Sequence, residues 1–356
     1  MNVRNILTAY RKLQYKIFQR SHSGLIGHYT RCNIIGELPH EKKDCVHPCV
    51  RYSNTAFRGH HWWMVYTPYY NANAMGENPI LCYGEGNGEP PTEWQVYKEL
   101  IPQPEVGYNS DPNMLFIDGE MYVFWRENET PRLLQKNLHR GTYCMIIKES
   151  DEHFVDEPIL AESLPYEDHE VSPVFVNYKD MTLALANHVL FKSPALQEIN
   201  GKVRAFIDKI LLVTDLLGLY SQQKSYGIAI WKGNQCDQPY SYTNSVYPKH
   251  CNHLYRPWHS DAFEYEGQLY MIMQSNQCNA DICIARWNDD LTELVMAKEP
   301  LVTNASISKV GIYKPTAVVQ CDILYVYVSA QEESNRASNI LYRGAIAMSD
   351  VINLFK

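Results

Sequence analysis

The chain has 356 residues, of which 45% are hydrophobic, and it carries a formal net charge of -8 at pH 7. This apolar content is ordinary for a globular protein and suffices for a sizeable core. The acidic balance, with a pI near 5.9, argues against a protein whose main partner is nucleic acid. The ten cysteines lack C-x-x-C spacing and mostly lie in apolar runs, which indicates free thiols in a reducing, cytoplasmic compartment.

The first 26 residues form a basic leader with a helical pattern of apolar residues. No acid precedes Glu37, and the basic residues of this stretch are Arg4, Arg11, Lys12, Lys16 and Arg20. The leader lacks the unbroken apolar core of a secretory signal or a membrane span. Three interpretations stay open: residues 1–20 lie on an anionic membrane surface, the helix docks on one end of the domain at 27–356, or the leader is solvated.

Downstream of the leader, one short phrase returns five times: a turn residue beside proline, an apolar run, a turn, and an aromatic-rich run. The copies contain VHPCV, SDPNMLFIDGEMYVFW, VSPVFVNYKDMTLALAN, SDAFEYEGQLYMIMQS and YKPTAVVQCDILYVYV. The residue before proline, or its equivalent, is the anchor of each copy: His47, Asp111, Ser172, Asp261 and Lys314. Paired strands that recur every ~50–90 residues predict an all-β fold, a five-bladed β-propeller.

A third strand follows each pair, in NPILCYG, GTYCMIIKE, YGIAIWKG, ADICIARWN and NILYRGAIAM. Each is rich in Ile, Tyr or Cys and is bounded by turn residues. Fourth strands are fainter, in EWQVYKE, PILAES and LTELVMA, and only SDVINLFK follows Met348 in the last repeat. We therefore expect GHYTRCNII, residues 27–35, to supply the missing outer strand, because closure removes free sheet edges.

An insertion at 191–225 interrupts blade three. Its apolar residues recur at helical spacing, which predicts an amphipathic helix; they are Val203, Phe206, Ile207, Ile210, Leu211 and Leu217. The sequence leaves open whether this helix is a lid, a dimer contact or packing on the outside of the blade.

The anchors are the candidate functional site, because a propeller points the equivalent strand of every blade at one axis. Asp111 and Asp261 bring two carboxylates, and Glu170 lies two residues before the third anchor, on the same face of its strand. Three carboxylates in one pocket suit acid–base catalysis at a glycosidic bond, where one must stay protonated while another activates water or attacks the sugar. Like charges in a partly dry cavity raise one pKa, which suits the acid.

An Asp-Pro that opens a strand in YNSDPNMLFIDGEMYVFW and a Glu shortly before a later Pro in HEVSPVFV resemble the five-bladed propeller glycosidases of families 43 and 32. They are also similar to the related family 130 mannoside phosphorylases. The similarity covers about residues 45–350 through short motifs. It implies a glycoside hydrolase that cleaves a terminal bond, with Asp111 as general base, Asp261 as the orienting acid and Glu170 as general acid.

The first blade departs from this pattern, because it carries His47 where those glycosidases carry the base. The predicted pocket also has more positive charge than a neutral sugar requires. This charge comes from His47, His259, Arg126 and Lys314. Two further interpretations therefore stay open. The protein is a transferase or phosphorylase for phosphorylated or nucleotide-activated sugars, or it is a sugar-binding propeller without catalysis, since a fold alone does not establish function.

Aromatic side chains are candidate sugar contacts, with Trp258 and Tyr69 the first choices, because the C–H faces of sugar rings stack on aromatic rings. No Walker loop, dinucleotide loop, H-E-x-x-H or paired C-x-x-C motif is present. We therefore predict no cofactor and no tight zinc site. A hard cation such as calcium at the axis is compatible with the carboxylates. The expected partner is a carbohydrate substrate.

Overall fold

A computed structural model describes residues 24–86, 88–129, 138–160, 167–190, 226–249, 257–275, 281–307, 311–331 and 339–356. The predicted helices at 1–20 and 191–225 lie outside the described residues and stay predictions. The backbone amides of Leu25 and Ile26 donate to the carbonyl of Leu301, so the chain is joined to the folded domain from the start of the described part.

Twenty-one strands form five sheets in the described part of the chain. The first, β1 (Tyr29–Arg31), belongs to blade five. Blade one contains β2 (Asn33–Ile35), β3 (Cys45–Phe57), β4 (His60–Pro68), β5 (Ile80–Gly84) and β6 (Glu93–Glu99). Blade two contains β7 (Tyr108–Ile117), β8 (Glu120–Glu129), β9 (Leu138–Ile147) and β10 (Glu152–Leu160).

The remaining three blades follow the same order. Blade three contains β11 (Glu167–Tyr178), β12 (Met181–Leu190), β13 (Tyr226–Gly233) and β14 (Ser241–Val246). Blade four contains β15 (Pro257–Tyr265), β16 (Gln268–Ser275), β17 (Ile282–Trp287) and β18 (Leu294–Met296). Blade five contains β19 (Gly311–Gln320), β20 (Ile323–Gln331) and β21 (Asn339–Ala347).

Helical segments are short throughout the described residues. Two are α-helical, α1 (Asn304–Ile307) and α2 (Met348–Asn353). Three are single 3₁₀ turns, at His40–Lys43, Tyr70–Ala72 and Ala74–Gly76. The C-terminal SDVINLFK stretch therefore contributes a helix rather than an outer strand.

The five sheets form a closed ring. The inner strands β3, β7, β11, β15 and β19 each contact the next one, and β19 contacts β3 again. Apolar clusters occupy all five interfaces between neighbouring blades. The predicted five-bladed propeller is confirmed, and so are the third strands of every blade.

The N-terminal strands close the ring as predicted. β1 pairs antiparallel with β21 and becomes the outer strand of blade five. β2 then pairs parallel with β6 on the outside of blade one. Residues 27–35 therefore join the last blade to the first, which leaves no open seam between them.

Two-residue turns connect the inner two strands of each blade. Asp118 and Gly119 both have positive φ, at 51° and 82°, between the paired residues Ile117 and Glu120. This is the type I′ geometry that matches the twist of a hairpin, and glycine adopts it without strain.

Each inner strand carries one extra residue near its start, so that a β-bulge recurs in every blade. The bulges lie between Val46 and Cys49, Ser110 and Asn113, Val171 and Val174, Pro257 and Ser260, and Ile312 and Pro315. A bulge breaks the ladder and re-aims the side chains it contains. The anchors His47, Asp111, Ser172 and Lys314 lie in these bulges.

The predicted anchor of blade four is wrong. The bulge of β15 contains Trp258 and His259, whereas Asp261 lies beyond it, in a regular pair with Ile272. The Ser-Asp of SDAF resembles the Ser-Asp of SDPN in sequence, but the hydrogen-bonded register does not place them at equivalent positions. His259 lies at the second position of its bulge, as Lys314 does in blade five, whereas Trp258 occupies the first position, as His47, Asp111 and Ser172 do in their blades.

No helix among the described residues is long and apolar enough to cross a membrane.

Substitution of Ile26 tests how far the N-terminal segment stabilises the closed ring of blades. Its side chain is 1% exposed and packs in the apolar cluster between blades four and five. We expect Ile26→Ala to lower the free energy of unfolding by about 2–5 kcal/mol, because it leaves a cavity in a packed interface. Chemical denaturation measures this, and Leu25→Ala, at a neighbouring side chain that is 39% exposed, is the control. Equal effects of the two substitutions would contradict the packing role.

Candidate functional site

The axial cluster consists of His47, Asp111 and His259, which come from the bulges of blades one, two and four. Each residue is at most 4% exposed. His47 Nε2 lies 3.6 Å and His259 Nδ1 lies 3.5 Å from the same oxygen, Asp111 Oδ1. One ligand-type atom from each residue lies within 4.8 Å of the others. The structure thus brings together three residues that the sequence predicted for the site.

The ring of His47 is oriented from behind by Glu77. Glu77 Oε2 lies 3.0 Å from His47 Nδ1 and accepts a hydrogen bond of 3.1 Å from Thr67 Oγ1. Thr67 Oγ1 also lies 3.1 Å from His47 Nδ1. Glu77 and Thr67 thus fix the orientation of the ring, with Nε2 facing Asp111. Burial raises the pKa of Glu77, and His47 opposes this rise.

Asp111 is held through its other oxygen. Asp111 Oδ2 accepts hydrogen bonds from Arg126 Nη1 at 2.8 Å and from Ser110 Oγ at 3.3 Å. Asn128 supports both donors, since its Nδ2 donates to Ser110 Oγ at 2.8 Å and its Oδ1 accepts from Arg126 Nη2 at 3.4 Å. This network fixes the carboxylate and leaves Oδ1 directed at the two histidines.

The cluster favours an ionised carboxylate beside a neutral histidine. Burial by itself raises the pKa of Asp111, but His47, His259 and Arg126 outweigh it and hold that pKa well below its ordinary value. Burial lowers the pKa of His259 to about 3, against the opposing effect of Asp111. The lowered pKa of Asp111 is compatible with its predicted role as general base, which stays a prediction.

Lys314 points inward, as the sequence predicted, but its ammonium group is used within the fold. The side chain is 0% exposed, and Nζ donates a hydrogen bond of 3.1 Å to the carbonyl of Pro112, which follows Asp111. Burial lowers the pKa of Lys314, and Asp111 opposes this effect. Lys314 therefore holds the bulge of blade two in place.

The backbone of the cluster is strained at two positions. His47 and Asp111 have positive φ, at 49° and 52°, in a region that residues other than glycine rarely occupy. Each such residue costs on the order of 1–3 kcal/mol and persists only where its surroundings determine the conformation. The strain turns both side chains out of the ladder and toward the axis.

Two partly exposed aromatic residues, Tyr313 and Trp258, lie beside the cluster. The ring of Tyr313 lies 5.2 Å from His47 and 4.4 Å from His259, measured between ring centroids. Trp258 lies 6.0 Å from His259. Burial raises the pKa of Tyr69, and the charge of Glu77 adds to this rise. The predicted sugar contacts of Trp258 and Tyr69 stay a prediction.

Asp261 has a different environment from Asp111. Its Oδ1 accepts from Arg51 Nη2 at 2.7 Å and from the amide of Ala262 at 2.9 Å. Its Oδ2 accepts from Arg51 Nη1 at 2.9 Å, from Thr316 Oγ1 at 2.6 Å and from the amide of Ala317 at 3.0 Å. Burial raises the pKa of Asp261, but Arg51 outweighs burial and the net pKa is lowered.

The partners of Asp261 belong to other blades, which gives this residue a structural function. Arg51 lies on β3 and also donates to the carbonyl of Met114 on β7 at 3.0 Å. Thr316 lies on β19 and donates to Asp261 on β15. The group therefore links blades one, two, four and five. Its geometry does not favour the predicted catalytic role of Asp261, because both oxygens are already fully engaged.

Glu170 lies on β11, where its backbone pairs with His188. Its side chain lies outside what the structure describes. The predicted role of Glu170 as general acid therefore stays a prediction.

Sequence reasoning missed Glu77, Arg51 and Tyr313. Glu77 lies in the segment between β4 and β5 and reaches His47 from outside the repeated phrase. Arg51 had a weak signal, since it is a charge inside the apolar run CVRY. Tyr313 directly precedes the anchor Lys314, at the first position of the bulge in blade five.

No protein-family model matches the chain, and no curated protein matches it. Solved structures do resemble it. An N-acetylgalactosamine deacetylase from F. plautii has a TM-score of 0.61 and 13% identity, with 94% of this chain and 97% of that one covered. A family 117 glycoside hydrolase from Zobellia galactanivorans has a TM-score of 0.57 and 10% identity, with 90% and 91% covered.

An α-L-arabinofuranosidase from Lactobacillus brevis has a TM-score of 0.53 and 11% identity, with 85% of this chain and 90% of that one covered. At such identities the likeness establishes the fold alone. The chain therefore shares the five-bladed propeller fold with enzymes that act on carbohydrates.

The structural role of Asp261 predicts a distinctive pattern of stability changes. Arg51→Met or Asp261→Leu alone leaves one buried charge without its partner, and we expect each to lower the free energy of unfolding by about 3–5 kcal/mol. The double substitution should be less destabilising than the sum of the two, because it removes both charges together. Denaturant titration of the three variants measures this cycle.

Glu293→Gln is the matched control for this cycle. Glu293 pairs with Lys249 at 2.5 Å, where both side chains are exposed, and surface pairs contribute less than about 1 kcal/mol. Additive losses in the Arg51–Asp261 cycle, or a loss no larger than that of the control, would contradict the structural role.

Proposed function

We propose that this protein is a hydrolase that acts on a carbohydrate bound at the axial cluster, with a terminal glycosidic bond as its first candidate. The observation that carries the proposal is the geometry of Asp111, a buried carboxylate held by Arg126 and flanked by His47 and His259. A fixed charge in a low-dielectric site is suited to activating water or stabilising the positive charge that develops on a sugar.

The fold supports this proposal. The family 117 glycoside hydrolase and the α-L-arabinofuranosidase share the propeller over most of their length. A pocket at the end of a propeller axis admits the end of a sugar chain more readily than its middle. The partly exposed aromatic rings of Tyr313, Trp258 and Tyr69 would offer stacking surfaces to such a sugar.

Asp111 would act as the base or the nucleophile of this reaction, because its low pKa keeps it ionised. Glu170 would act as the acid, since its strand lies in the blade next to that of Asp111. Asp261 would contribute indirectly by holding the inner strands, because Arg51 and Thr316 occupy its oxygens.

Hydrolysis of an N-acyl group on a sugar is the second candidate. The observation that favours it is the composition of the cluster, two imidazoles around one carboxylate rather than two free carboxylates. The N-acetylgalactosamine deacetylase has the same fold over nearly its whole length. The phosphorylase alternative has less support, because Lys314 donates to the carbonyl of Pro112 and would have to leave that contact to bind phosphate.

Substitution of Asp111 tests whether the axial cluster is the reactive site. We expect Asp111→Asn to reduce kcat/KM at least about 100-fold, because loss of a positioned acid–base group typically costs 10²–10⁴ in rate. The assay is a panel of aryl glycosides and N-acetylated aminosugars, each with and without inorganic phosphate. Released aryl alcohol, acetate and sugar phosphate identify the reaction class.

Asp118→Asn is the control for this assay, since Asp118 lies in an exposed hairpin turn that asparagine adopts equally well. Turnover by Asp111→Asn at the level of this control would contradict the proposal. The proposal would also be contradicted if the wild-type protein turned over no member of the panel and bound no saccharide on an array.

A further inference from the structure

We propose that His47, Asp111 and His259 form a binding site for one divalent transition-metal ion. Its use in catalysis rests on the proposed function, whereas binding of the ion does not.

The distance of each histidine from Asp111 fits an ion between the three side chains, whose ligand atoms all lie within 4.8 Å of one another. For ligand bonds of about 2.0–2.2 Å, two ligands of a tetrahedral ion lie about 3.4 Å apart. His47 Nε2 and His259 Nδ1 lie 3.6 Å and 3.5 Å from Asp111 Oδ1, which is close to that edge length. The first of these distances is too long for a hydrogen bond, so the two atoms face each other across a gap.

His47 is prepared to act as a ligand. Its Nδ1 is engaged by Glu77 and Thr67, while the buried Nε2 has no hydrogen-bond partner among the described residues. A carboxylate behind a ligating imidazole is the usual outer partner of a metal site, because it fixes the tautomer and strengthens the ligand.

The two carboxylate oxygens of Asp111 also have different contacts. Arg126 and Ser110 occupy Oδ2, which directs Oδ1 at both histidines. A monodentate carboxylate of this kind leaves room around an ion. Three protein ligands also leave at least one position for water or a sugar hydroxyl, as catalytic metal sites do.

The donor set selects the class of metal. Two imidazoles and one carboxylate suit zinc, iron, cobalt, nickel or manganese, whereas calcium and magnesium prefer oxygen ligands throughout. The proposal therefore replaces two expectations from the sequence, calcium at the axis and the absence of a tight zinc site, by a site with two nitrogen ligands. The charges of Asp111 and of Glu77, which faces His47, would offset the charge of the ion.

The ligands come from blades one, two and four, and the fold holds them at fixed positions. Each lies in the bulge of its inner strand, and the strained backbone of His47 and Asp111 turns these side chains inward. Coordination by an ion would offset part of this strain. An unfolded chain could not reproduce the site, because its ligands are far apart in sequence.

Metal binding is measured on the full chain after dialysis against EDTA. We expect isothermal titration with Zn²⁺ to give one equivalent, and Co²⁺ to give visible absorption bands of a low-symmetry site. His47→Gln and His259→Gln should each weaken Zn²⁺ binding at least 100-fold, while His28→Gln, at an exposed histidine, should leave it unchanged. Unchanged thermal unfolding of each metal-free variant shows that the fold is retained.

Glu77→Gln separates the outer partner from the ligands. We expect it to weaken Zn²⁺ binding about 10–100-fold without changing the stoichiometry, because outer-shell substitutions typically have this effect. A stoichiometry of zero for the wild-type protein, equal affinity in the His47 and His28 variants, or tighter binding of Ca²⁺ than of Zn²⁺ would each overturn the inference.

The failure of this inference can be distinguished from failure of the proposed function. One tight Zn²⁺ equivalent in a protein that turns over no saccharide supports the site and contradicts the function. Turnover that survives EDTA, in a protein without bound metal, overturns the site and leaves the function standing.

Discussion

The buried ion pair between Arg51 and Asp261 holds the inner strands at the axis of the propeller. Arg51 donates twice to Asp261 and once to the carbonyl of Met114, and Asp261 also accepts from Thr316. These contacts join four of the five blades at the place where their inner strands converge. Charges so deeply buried are tolerated only when they are fully paired, so the arrangement of the blades and the pairing of this group depend on each other.

A rigid axis explains how the neighbouring bulges can present strained residues. His47 and Asp111 adopt positive φ beside prolines, which would relax in a loosely packed turn. Because the strands on either side are fixed, the bulges turn His47, Asp111 and His259 toward one point instead. The two aspartates at the axis therefore have different roles: Asp261 stabilises the ring of blades, and Asp111 faces the candidate site.

The local pattern of the sequence predicts much of the fold and only part of the site. Alternating apolar residues and turn residues are local signals, which is why the inner three strands of each blade and the closing segment at 27–35 were predicted correctly, whereas β14 was not predicted. The register of a bulge is not a local signal, because it depends on the partner strand. The likeness of SDAF to SDPN therefore led to a wrong alignment of Asp261 with Asp111. Glu77 and Arg51 were missed because their importance comes from partners that are distant in sequence, His47 and Asp261.

The central claim is that the bulged starts of the inner strands form the functional site. A crystal structure of the protein soaked with the saccharide that binds most strongly on a glycan array tests it most directly. The account predicts density for a sugar ring within hydrogen-bond distance of Asp111, beside the rings of Tyr313 and Trp258. A saccharide bound only on the outer faces of the blades, with the axis unchanged, would contradict it.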